Sequence, residues 1–152
     1  MIGVAPLLAA LLAGSTDAAQ VAASVGVPTG VLPGCPDSVR IDERLSAPVV
    51  GWTVGHSSEP HRLAGITLFD GKPAAGASLV GDDQPPTPST SATTWTLAKK
   101  RVYWLSCSYA GTNVTLAREI PSELRSCSAT YSNTVHVAGL PELIHFECRA
   151  AK

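Results

Sequence analysis

The chain has 152 residues and a formal net charge of −1, with 45% apolar and 15% charged residues. That length suits one domain, and the apolar share is enough to build a core. The near-neutral balance excludes a general nucleic-acid binder, which needs a basic surface to displace counterions, and it offers no polybasic membrane anchor.

The chain opens on "MIGVAPLLAALLAG", an apolar run too short for a spanning helix, which needs about 20 apolar residues. It has the length of a signal-peptide core. Thr16 and Ala18 are small residues at the positions a signal peptidase reads, so residues 1–18 are expected to be removed, with cleavage possible up to Ala23. Ser15 stands where a lipoprotein would carry its modified cysteine, so no stable membrane anchor is expected after cleavage. Residues 19–33, "AQVAASVGVPTGVLP" from Ala19, hold no sustained period and read as a flexible N-terminal segment. The mature domain is expected to span residues 34–152.

From Cys35 onward the pattern is that of strands. Asp37 to Ile41 alternates, with Val39 and Ile41 on one face. "APVVGWTV" follows, broken by Pro48 and Gly51. "RLAGITLFDG" stops at Asp70-Gly71, a turn dipeptide. "ASLVGDD" reads as a short strand ending at Gly81, with Asp82-Asp83 in a turn, and the prolines of "QPPTPSTSAT" make it a loop. "TTWTLA" places Trp95 and Leu97 on one face, and "RVYWLSCSY" is rich in β-formers. Val114, Leu116 and Ile120 are expected to point inward, Ser122 to cap a single turn, and Cys127–Tyr131 and Leu143–Cys148 to close the fold as a hairpin. The whole predicts an all-β, disulfide-stapled antiparallel β-sandwich or small barrel of about eight strands.

Four cysteines follow the apolar leader: Cys35, Cys107, Cys127 and Cys148. An even number in an exported chain is read first as disulfides. None of the spacings is close enough for the usual zinc pairs or for a redox C-x-x-C. Three pairings are formally possible. Cys35–Cys107 and Cys127–Cys148 are favoured, because Cys35 opens the first strand, Cys107 lies in a central one, and the last two occupy comparable places in a hairpin.

Other candidates for chemistry have plainer readings. His56, Glu59 and His61 share one loop, but a Pro-containing loop supplies neither rigid support nor outer-shell partners for a metal. His145 and Glu147 fall on one face of a strand and read as a solvent-facing polar row. No nucleophile elbow, H-E-x-x-H or S-x-x-K motif is present. Trp52, Trp95 and Trp104 are candidates for a ligand groove, with core and edge packing the commoner role. Asn113-Val114-Thr115 is a glycosylation pattern of consequence only in a eukaryotic secretory host. No catalytic, cofactor-binding or metal residue is assigned, and no cofactor is expected.

These segments come in a recognisable order: "CPDSVRI", "GW" at 51–52, "HRLAGITLFDGKPAAGASLVGDD", Trp95, "YWLSCSYAGTNVTLAREIP", Cys127 and the closing "CR". The order resembles a family of small exported proteins of Gram-negative bacteria, described only as periplasmic or exported proteins of unknown function. The resemblance covers residue 34 to the C-terminus and carries no catalytic residues with it. Some members accompany secretion-system loci, which implies a periplasmic immunity or accessory role. The expected function is therefore a non-catalytic periplasmic module that binds another periplasmic or secreted protein. Two alternatives are an envelope enzyme acting on glycans and a ligand-free structural or stress protein.

Overall fold

The computed structural model describes Leu32 and residues 34–151. The expected signal peptide, and all of residues 19–33 except Leu32, lie outside the described residues. Nine strands run in the order β1 (Ser38–Val39), β2 (His61–Asp70), β3 (Ala77–Ser78), β4 (Asp82–Gln84), β5 (Thr90–Thr96), β6 (Tyr103–Tyr109), β7 (Thr115–Ile120), β8 (Leu124–Val137) and β9 (Leu140–Ala150). They form two antiparallel sheets in a sandwich-like arrangement, and neither closes into a barrel. The first has the order β1-β2-β6-β7, with β3 also on β2; the second has the order β4-β5-β8-β9.

Alternation decides which side chains meet. Along β6, Tyr103, Leu105, Cys107 and Tyr109 are buried, while Ser108 faces solvent and Trp104 is half-buried on the outer side. On β2 the inward set is out of phase: Leu63 and Ile66 cannot share a face in a regular strand, because successive side chains alternate. A bulge at Ala64 absorbs the extra residue, so that Leu63 pairs with Tyr109 and Ile66 with Cys107. A second bulge, between Leu124 and Ser126, does the same for Leu124 and Cys127 on β8. The inner faces join in one cluster around Leu68, Leu105, Trp95, Ile120, Ala129 and Phe146. Leu32, from the segment ahead of the domain, is buried in that cluster too.

Both disulfides lie within this layer: Cys35–Cys107, with Cα atoms 5.8 Å apart, and Cys127–Cys148, at 4.0 Å. The first ties the segment before β1 to β6. The second joins directly opposed residues of β8 and β9.

Four expectations from the sequence are corrected. Asp82-Asp83 is strand, not turn: β4 pairs with β5, and the Thr93 hydroxyl donates to Asp83 Oδ1 at 2.7 Å. Val114 and Leu116 are 41% exposed, because Val114 precedes β7 and β7 lies at the edge of its sheet, and only Ile120 reaches the core. The closing hairpin is much longer than the two expected segments, and it turns at Ala138-Gly139, both with positive φ. "APVVGWTV" forms no strand; residues 40–60 run from β1 to β2 without any strand or helix.

Candidate functional site at one end of the sandwich

Strand direction gathers this end. β2 begins at His61 and β6 ends at Tyr109, so the long β1–β2 connection and the β6–β7 turn emerge side by side. A loop longer than about 12–15 residues without secondary structure is uncommon in a compact domain and is usually either functional or a linker. Its apolar residues are displayed rather than buried. Leu45, Val49 and Val54 are exposed, Trp52 is 80% exposed and Val50 98%. Pro48 and Gly51 explain the failure to form a strand here. Proline removes a ladder donor. Gly51 has φ +82°, within a turn in which Trp52 N–H donates to Val49 O at 3.1 Å.

Side-chain contacts hold the loop to itself and, at one point, to the β6–β7 turn. Arg40 Nη1 donates to Ser58 O at 3.1 Å, bringing its two ends together. Thr112 Oγ1 of the β6–β7 turn donates to Glu43, and Arg44 pairs with Asp42 at 2.6 Å. His61 Nδ1 donates to the Ala110 carbonyl at 2.8 Å, which leaves Nε2 as the free ring nitrogen. Gly111, with φ +75°, packs against that ring.

Two hollows open at the loop's base. One, of about 650 Å³, is lined by Asp42, Arg44, Leu45, Pro48, Val54 and His56. The other, of about 420 Å³, includes Glu43, His56, His61 and Gly111 in its wall. His56 and His61 thus reach one hollow, but among the described residues no three His, Cys, Asp or Glu side chains are grouped to hold a metal ion. His145 Nε2 lies 3.7 Å from Glu147 Oε2, and that carboxylate also pairs with Arg149 at 2.6 Å, so the two belong to a charged row on β9.

The three tryptophans share no groove. Trp95 is in the core, Trp104 lies on the opposite, outer side of the first sheet with the Lys72 ammonium 5.9 Å from its ring centroid, and Trp52 stands on the loop. Sequence reasoning singled out Trp52 but missed the loop as a unit. The available signal was that Pro48 and Gly51 punctuate an apolar run.

Fold and site together define a disulfide-bridged β-sandwich that displays an apolar loop at one end. The chain belongs to the family of type VI secretion system Tli immunity proteins: the family model matches residues 57–149, more than half of its length. It is also similar to a protein of Azospirillum brasilense, an uncharacterised 16.3 kDa protein in the trpG 5′ region. The two are 32% identical over 104 residues, which cover 63% of this chain and 69% of that one. No solved structure matches the chain.

Proposed function

We propose that this protein is a non-catalytic immunity protein that neutralises a type VI secreted toxin in the periplasm by binding it. The observation that carries this reading is the family match, which spans all of β2 to β8 and nearly all of β9. The two disulfides support an oxidising compartment, where such bonds persist. The apolar run at residues 1–14 supports export. Among the described residues no helix is long and apolar enough to cross a membrane.

The test is growth protection. Type VI effectors from the source genome are directed in turn to the periplasm of a sensitive host, each with the full-length chain or with a version lacking residues 1–18. Growth rescued by the full-length chain and abolished without the leader is the expected result. Absence of rescue by the full-length chain refutes the reading. Rescue by the leaderless chain refutes its periplasmic part.

A further inference from the structure

We propose that residues 42–54 select which toxin this chain binds, and that the toxin face they meet offers an apolar socket with a basic rim. The proposal rests on the immunity reading above and adds the surface, the discriminating element and the partner's chemistry. Three observations carry it.

The first is a boundary. The family model begins at residue 57, within three residues of the end of the β1–β2 loop. The match covers the sandwich from β2 onward, and the apolar loop lies outside it. A common scaffold with an individual loop is the arrangement expected when related binders must each recognise a different partner.

The second is display. Leu45, Val49, Val50, Trp52 and Val54 expose apolar surface on a single loop. Contiguous exposed apolar surface rimmed by polar groups marks interaction sites, and tryptophan is enriched among the residues that dominate binding energy. The loop is also held in advance: its stem is clamped by the Cys35–Cys107 bond and its flank by Glu43 and Thr112. Such pre-organisation lowers the entropy lost on binding.

The third is charge. The loop and its stem carry Asp42, Glu43 and Glu59 against Arg40 and Arg44, and Asp42 is paired with Arg44. With Asp42 and Arg44 cancelling, Glu43 and Glu59 exceed Arg40 by one negative charge, which favours cationic groups around the socket.

The experiment measures binding of the purified, disulfide-intact chain to a catalytically inactivated form of the type VI effector against which it protects in that growth test. Trp52→Ala and Val50→Ala remove exposed side chains, so their melting temperatures should match wild type. Trp52→Ala should weaken binding by roughly 30-fold or more, the usual threshold for a dominant contact. Val80→Ala, an equally exposed valine outside the loop, should leave affinity unchanged within about 3-fold. Wild-type affinity should fall with added salt, and less steeply in Glu59→Gln. Tight binding by wild type together with unchanged binding by Trp52→Ala and Val50→Ala overturns the inference and leaves the immunity reading standing. A flat salt response overturns the basic rim. A wild-type chain that does not bind the effector removes the immunity reading and the inference with it. Sedimentation as a dimer that Trp52→Ala disperses overturns the proposal in favour of a second copy on this loop.

Discussion

Cys35 is bonded to Cys107 across 72 residues of chain, so the segment entering the domain is clamped to the strand at the middle of the first sheet. Cys127–Cys148 closes a separation of only 21 residues, within a single hairpin. In the chain-entropy account the longer loop stabilises more: about 4 kcal/mol against about 3 kcal/mol. Urea titration of Cys35→Ala/Cys107→Ala and Cys127→Ala/Cys148→Ala should give losses in that order. A larger loss for the hairpin pair would refute loop closure as the main cause.

Leu68 and Leu105 are directly opposed on β2 and β6 and are both 0% exposed. Replacing either by alanine should cost about 2–5 kcal/mol, from lost burial and the cavity left behind. Because the two side chains are direct cross-strand neighbours, the double variant should depart from additivity by about 0.5 kcal/mol or more. Strict additivity in denaturant titrations would mean that the layer relaxes independently at the two sites.

Gly81 lies against the Trp95 indole, whose buried Nε1 has no hydrogen-bond partner among the described residues. A Cβ at residue 81 would fall 2.8 Å from that nitrogen and collide with the Thr93 methyl. Gly81→Ala should therefore destabilise by about 1–3 kcal/mol and perturb tryptophan fluorescence. A wild-type melting temperature would show that β4 shifts away at no cost.

Ala138 has φ +50° in the two-residue turn between β8 and β9. Tight hairpin turns of this kind need positive φ at both central residues, and asparagine tolerates it better than alanine. Ala138→Asn should stabilise the protein by about 0.5–1 kcal/mol. A lower melting temperature in calorimetry is the contrary outcome.

Tyr109 donates its hydroxyl to Pro36 O at 3.2 Å, and burial, then the charge of Asp37, raise its pKa above the ordinary 10.0. Tyr131 is raised likewise, by burial and then Asp83. The fold favours the neutral phenols, so their contribution is fully present below pH 10.0 and is lost as pH rises through the folded-state values. Urea midpoints should fall on the alkaline side, and Tyr109→Phe should flatten that fall. Identical pH profiles for the two proteins would exclude Tyr109 as a source.

Local sequence made much of the sandwich legible. Alternation in "YWLSCSY" sorts the inner from the outer face of β6, and "TTWTLA" places Trp95 and Leu97 in the core, because a half-buried strand repeats every two residues. Misreadings arose where pairing overrides propensity. Asp82-Asp83 favours a turn by composition, yet β5 supplies ladder bonds and a threonine hydroxyl that hold it extended. Leu116 alternates correctly and is still exposed, because alternation assigns a face but not a position in the sheet, and β7 is at the edge.

The sequence by itself determined the strand character, through a two-residue period, and the prospect of covalent staples, through four cysteines behind an apolar N-terminal run. Tertiary structure decided the rest. Bulges at Ala64 and between Leu124 and Ser126 brought out-of-phase side chains to one face, a choice set by the partner strand and not by the residues alone. Long-range pairing of β2 with β6 placed the β1–β2 loop beside the β6–β7 turn, where Thr112 meets Glu43 across 69 residues of chain. There five apolar side chains, which composition would assign to a core, stand in solvent where a partner can reach them.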